Sequence, residues 1–195
     1  MKKIILLGDS IRMVYQPLVI EKLRGEFEVW EPEGNGGTSE NVLAHLDEWA
    51  IGQTSDIIHL NCGLHDLAIK EDGAPRVSIE AYEGNVRVIL SRLKQETSSR
   101  IIWATTTPVI DEWHRRVKSF ERREEDVLRY NAVATRLAEE CGVEIDDLHA
   151  VIVSAGPEKC LLPDGVHMNE FGNELLARAV SDYVRRSWQR RCSPT

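Results

Sequence analysis

Lys3-Ile4-Ile5-Leu6-Leu7-Gly8-Asp9-Ser10 decides the fold. A short apolar run closed by glycine is what a strand buried on both faces of a parallel sheet looks like. The pattern recurs downstream. Phe27-Glu28-Val29-Trp30, Asp56 to Asn61, Ile101 to Thr105 and Val143 to Ile145 read as four further strands. Helical stripes fall between them: Val14, Leu18 and the Leu23 region, then Val42, Leu43, Leu46 and Ala50 behind a Thr38/Ser39 cap. Ile79, Tyr82, Val86, Ile89 and Leu93 follow a cap at Ser78. Val127, Tyr130, Ala134, Leu137 and Cys141 mark a helix from Phe120 to Cys141, and Phe171, Leu175, Leu176, Ala179 and Val184 mark one over about 169–188. Strands alternating with helices predict an α/β fold, a parallel sheet covered on both faces by crossover helices. With no repeat, linker or low-complexity run, residues 1–195 are expected to form one domain.

Composition narrows the function. The chain carries 24 Lys+Arg against 32 Asp+Glu, a formal charge of -8, which offers no electrostatic hold on nucleic acid or an anionic membrane. The apolar run at its start is too short for a secretory signal, and no stretch reaches the 18 apolar residues of a membrane span. Cys62, Cys141, Cys160 and Cys192 have no C-x-x-C spacing, so a metal or redox pair is not expected. They read as structural thiols in a reducing cytoplasm.

In an open parallel sheet, ligands bind beyond the carboxyl ends of the strands. Gly8-Asp9-Ser10 follows the first strand, Asn35-Gly36-Gly37-Thr38-Ser39 the second, and Asn61-Cys62-Gly63-Leu64-His65-Asp66 the third. Asp164-Gly165-Val166-His167 follows the fifth through a longer loop. A serine nucleophile needs a base, a group that orients the base, and donors for an oxyanion. Ser10 on a strand-to-helix turn, His167 as base and Asp164 as its orienter meet the first two needs. The Ser10 and Gly36 N–H groups are candidates for the third. Taken singly these are ordinary turns and caps; their joint placement carries the catalytic reading.

These blocks resemble the SGNH hydrolases, also called GDSL-type esterases and lipases. Gly8-Asp9-Ser10-Ile11 is similar to the first family block, with Ile for the usual Leu. Gly36-Gly37-Thr38-Ser39, followed by Leu43 and Leu46, is similar to the second, and Asp164-Gly165-Val166-His167-Met168-Asn169 with Gly172 to the fifth. Tyr130-Asn131 and Thr105-Thr106-Thr107-Pro108 also fit the family's habits. The resemblance implies a three-layer α/β/α sandwich with a flavodoxin-like five-stranded parallel sheet. It also implies hydrolysis of a small acyl ester, often acetyl, through an acyl-enzyme, without a metal or organic cofactor. The expected partner is a small-molecule or carbohydrate ester.

One block departs from the pattern. The third is usually Gly-x-Asn-Asp, whose Asn donates to the oxyanion; here Gly63-Leu64-His65-Asp66 puts His65 in its place. An imidazole still has an N–H to donate, so Ser10, Gly36 and His65 form the expected oxyanion hole. If His65 points elsewhere, two donors remain. An acyltransferase with the same triad, or a weakly active ester- or glycan-binding protein, are the alternatives. Asp111 to Arg123, a charged stretch after the fourth strand, reads as a solvated loop and first helical turn, with one wall of the pocket, binding an anionic or sugar substrate, as the alternative. Asp66 to Val77 reads as a mobile rim or a long connection. Arg185, Arg186, Arg190 and Arg191 suit the end of the last helix. His59 reads as a satisfied core or interface histidine, while His45 and His149 carry no motif.

Overall fold

The computed structural model describes residues 1–192, without the side chains of Arg191 and Cys192, so the expectations for those two side chains lie outside the described residues. Five parallel strands, β1 (Lys2–Leu7), β2 (Phe27–Trp30), β3 (Ile57–Leu60), β4 (Arg100–Ala104) and β5 (Glu144–Asp146), pair in the order β2-β1-β3-β4-β5. This is the flavodoxin-like order, in which the chain reverses direction across the sheet between β1 and β3. Ile4, Ile5, Ile57, Ile58 and Ile102 have no exposed surface, as strands covered on both faces require. Each such side chain contributes about 1.5–3 kcal/mol by leaving water.

One face is covered by α1 (Ser10–Lys22), which packs on α8 (Glu170–Cys192), with α6 (Leu148–Ala155) and α7 (Pro157–Cys160) against α8. The other is covered by α2 (Ser39–Ala44), α3 (Ile79–Glu96) and α5 (Glu124–Glu140). A single contiguous apolar cluster joins the layers. Most of the stripes expected for α3 and α5 are buried, Tyr82, Val86, Tyr130 and Ala134 among them, while Ile79 and Cys141 are only partly buried and α5 begins at Glu124 rather than Phe120.

Two stripes are corrected. Val14 is half exposed, and α1 buries Ile11, Tyr15 and Val19 instead. The phase of this helix is set at its start, where the Asp9 carboxylate accepts the Ile11 N–H at 2.9 Å and turns Ile11 inward. Phe171 is also half exposed, because it lies in the first turn of α8 at the rim; Leu176, Ala177, Val180 and Val184 face the core. The helix expected over Val42 to Ala50 is instead α2 followed by a π-helical turn, Asp47–Ile51.

The stretch read as a solvated loop contains α4 (Asp111–Val117), and both His114 and Arg122 are buried. Short α6 and α7 fill what was expected to be a long loop after β5. His59 lies in the core with Nε2 3.0 Å from Asp146 Oδ2, but it is only half satisfied, since its buried Nδ1 has no partner among the described residues. No helix among the described residues is long and apolar enough to cross a membrane.

Candidate active site

Ser10 is the first residue of α1, immediately past its cap Asp9. The Ser10 N–H has no hydrogen-bond partner among the described residues and lies at the positive end of a thirteen-residue helix. Its Oγ is 3.0 Å from His167 Nε2. On the other side of the ring, Nδ1 is 2.6 Å from Asp164 Oδ2. A carboxylate only accepts, so Nδ1 carries the proton and Nε2 presents its lone pair to the serine hydroxyl. The structure therefore brings Ser10, His167 and Asp164 into one hydrogen-bonded chain across 157 residues of sequence.

Asp164 is held by its own loop. Its Oδ1 accepts the Val166 N–H at 3.0 Å and the His167 N–H at 2.9 Å. Burial raises the carboxyl's pKa, but the bonds from His167 and Val166 outweigh burial and leave it below the ordinary value. Gly165 makes the loop possible. Its φ is +68°, and a Cβ there would lie 2.5 Å from the Ile110 carbonyl oxygen. Behind the loop, buried His114 has Nδ1 3.2 Å from the Asp164 carbonyl, which fixes the proton on Nδ1 and leaves Nε2 buried without a partner.

The Gly36 loop is in place, but its donor is engaged. Gly36 N–H donates to the Gly8 carbonyl at 3.0 Å, and a Cβ on Gly36 would meet that oxygen at 2.8 Å. The expectation of a free Gly36 donor is thus corrected. Buried Arg12 reinforces the same junction, donating to Gly8 O at 3.3 Å and Gly34 O at 3.0 Å. Arg12 was missed in the sequence, although its position between Ile11 and Tyr15 on the buried flank of α1 is a usable signal.

The third loop is tied to the second by Asp66. Both of its carboxylate oxygens accept the Ser39 N–H, at 2.9 and 3.0 Å, and the Ser39 hydroxyl donates to it as well. Burial outweighs these bonds and raises the carboxyl from 3.8 to about 6. A carboxyl with a raised pKa in the fold favours the folded state while protonated. That stabilisation is present below pH 3.8 and is lost as pH rises through about 6. Melting curves of the wild type should therefore show a loss of about 2–3 kcal/mol from pH 4 to pH 7 that Asp66→Asn lacks. Parallel profiles for the two proteins would refute this role.

His65, between these tied residues, is half-buried, and its ring forms no hydrogen bond with another described residue. Burial lowers its pKa, the Asp9 charge opposes this, and Arg122, Arg76 and His167 add to it. The ring is neutral at pH 7 and keeps one N–H to donate. On the far side of the sheet end, Asn131 pairs its amide with Thr106, accepting the N–H and donating to the carbonyl, each at 2.8 Å. This fixes the strand end that the Thr105–Pro108 motif marks.

The family model for the GDSL-like lipase/acylhydrolase family matches residues 15–175. A GDSL esterase/lipase of Arabidopsis thaliana is 31% identical over 140 residues, 65% of this chain and 58% of that protein. The chain thus spans less than two thirds of this curated relative. Among solved structures, a lipase/acylhydrolase from Enterococcus faecalis superposes with a TM-score of 0.81 at 21% identity, covering 96% of this chain and 97% of that one. An acetyl xylan esterase superposes with a TM-score of 0.76 at 20% identity, over 93% and 99% of the two chains. Both share the three-layer fold. With that fold, with its motif residues gathered at one end of the sheet, and with the family model matching most of its length, the chain belongs to the GDSL-like lipase/acylhydrolase family.

Proposed function

We propose that this chain is a serine esterase of small acyl esters, acetyl esters of carbohydrates among them, working through an acyl-enzyme on Ser10. The observation that carries the reading is the chain Ser10 Oγ–His167 Nε2–Asp164, at 3.0 and 2.6 Å. His167 takes the hydroxyl proton as Ser10 attacks the ester carbonyl, then returns it to the leaving alcohol. Water, activated by the same ring, releases the acid. Asp164 stabilises the imidazolium and keeps its proton on Nδ1. The acetyl xylan esterase among the solved structures supports the substrate class by analogy.

The tetrahedral oxyanion is met by the Ser10 N–H and the His65 ring. Gly36 N–H contributes only as a shared donor, because Gly8 O already accepts it. A neutral His65 also suits a site in which His167 becomes positively charged, since the two rings sense each other's charge. His65→Ala is expected to lower kcat on p-nitrophenyl acetate by about a hundred- to a thousandfold with little change in KM. His65→Asn, which restores a donor, should recover most of that loss. An alanine variant with wild-type kcat would remove His65 from the hole.

A further inference from the structure

Arg122 is only 6% exposed, yet no carboxylate bonds it. Its Nε donates to the Leu64 carbonyl at 2.8 Å, directly before His65 in the chain. The four Nη hydrogens have no acceptor among the described residues, and neither Nη is an orphaned fully buried atom, so the fork opens to solvent. The guanidinium lies 5.0 Å from the centroid of Phe120, and the exposed Arg76 lies 5.3 Å from the same ring. Phe120 also packs edge-on against His114, 5.2 Å away, which holds the Asp164 carbonyl. Two cations thus converge on one aromatic ring between the His65 loop and the Asp164–His167 loop.

Many other arginines of this acidic chain are paired with carboxylates, although buried Arg12 is met by Gln16 and by backbone carbonyls instead. Arg92, Arg100, Arg123 and Arg185 each lie within 3.0 Å of a carboxylate oxygen. Arg76 and Arg122 form no ion pair among the described residues and repel each other. Burial lowers the Arg122 pKa to about 10, with Asp9 and Asp164 opposing through space, so it stays charged at pH 7. A buried guanidinium is costly unless something pairs with it, and its fork geometry suits a carboxylate or phosphate.

We propose that Arg122 and Arg76 form an anion subsite, so that the preferred ester carries a carboxylate or phosphate beside its scissile carbonyl. This rests on the esterase reading and narrows its substrate class. The test compares two matched pairs: p-nitrophenyl acetate with mono-p-nitrophenyl succinate, and phenyl acetate with 4-acetoxybenzoate. The first pair places the anion on the acyl side and the second on the alcohol side.

In at least one pair the anionic ester should have the higher kcat/KM, by about ten- to a hundredfold. Arg122→Gln and Arg76→Gln should each collapse that ratio. If Arg122→Gln does not fold, the exposed Arg76 carries the test. Neutral esters preferred in both pairs, or a ratio that survives Arg76→Gln, would overturn the subsite. If no ester is hydrolysed, the esterase reading fails and calorimetric titration with succinate and with inorganic phosphate decides the subsite alone. Binding to the wild type that is lost in Arg76→Gln supports it; no binding, or equal binding, overturns it.

Discussion

Replacing Ser10 by alanine is expected to lower kcat on p-nitrophenyl acetate by at least about a thousandfold, and toward about a millionfold if no other group substitutes. The size of the loss follows from what Ser10 supplies. Its oxygen forms the covalent bond, and without it His167 has no hydroxyl to activate. The fold should be untouched, since the hydroxyl's one hydrogen bond is to the His167 ring at 3.0 Å and its residue is partly exposed. Unchanged far-ultraviolet dichroism and melting temperature, beside the lost turnover, would separate chemistry from unfolding. A variant that keeps more than a tenth of the rate would point to hydrolysis elsewhere.

Asp164→Asn is expected to lower kcat by about ten-thousandfold near neutral pH. The substitution preserves shape, and an amide oxygen can still accept the Val166 and His167 N–H groups at about the same distances. What it removes is an acceptor facing Nδ1. An amide N–H there drives the ring proton to Nε2, where it meets the Ser10 hydroxyl as a donor and cannot accept. Stability should respond at low pH too. The wild-type carboxyl has a pKa below its ordinary value, so it stabilises the fold above about pH 4 and this is lost as pH falls through the lowered value. The variant should lack that acid-side loss. Rates within about tenfold of wild type would mean that the His167 tautomer is set by something other than Asp164.

The elements that the sequence exposes best are those whose signal is local. β1 and β3 are legible because a strand covered on both faces must be an apolar run, and Ile4, Ile5, Ile57 and Ile58 satisfy that without reference to anything distant. Ser10, Asp164 and His167 are legible because each sits on a turn directly beyond a strand or before a helix. The misread phase of α1 has a local cause as well. Val14 and Leu18 look like a stripe, but the Asp9 cap rotates Ile11, Tyr15 and Val19 inward.

Other features depend on partners far away in the chain. Arg122 becomes buried because the Leu64 carbonyl, 58 residues earlier, accepts its Nε–H. His114 is buried by Asp164, 50 residues later. The Gly36 N–H looks available in any reading of the loop, and only the approach of Gly8, 28 positions away, shows that it is engaged. No periodicity or turn preference encodes such pairings, so a charged stretch such as 111–123 reads as solvated until its partners are in place.

The central claim is that Ser10 is the activated nucleophile that carries the acyl group. Its most direct test is intact-mass spectrometry after incubation with a fluorophosphonate, which phosphonylates an activated serine with loss of fluoride, followed by peptide mapping. The account requires one adduct per chain, carried by the peptide containing Ser10 and absent from Ser10→Ala. It also requires labelling to slow markedly in Asp164→Asn. An adduct on another residue, or no adduct in a protein that still hydrolyses p-nitrophenyl acetate, would contradict it.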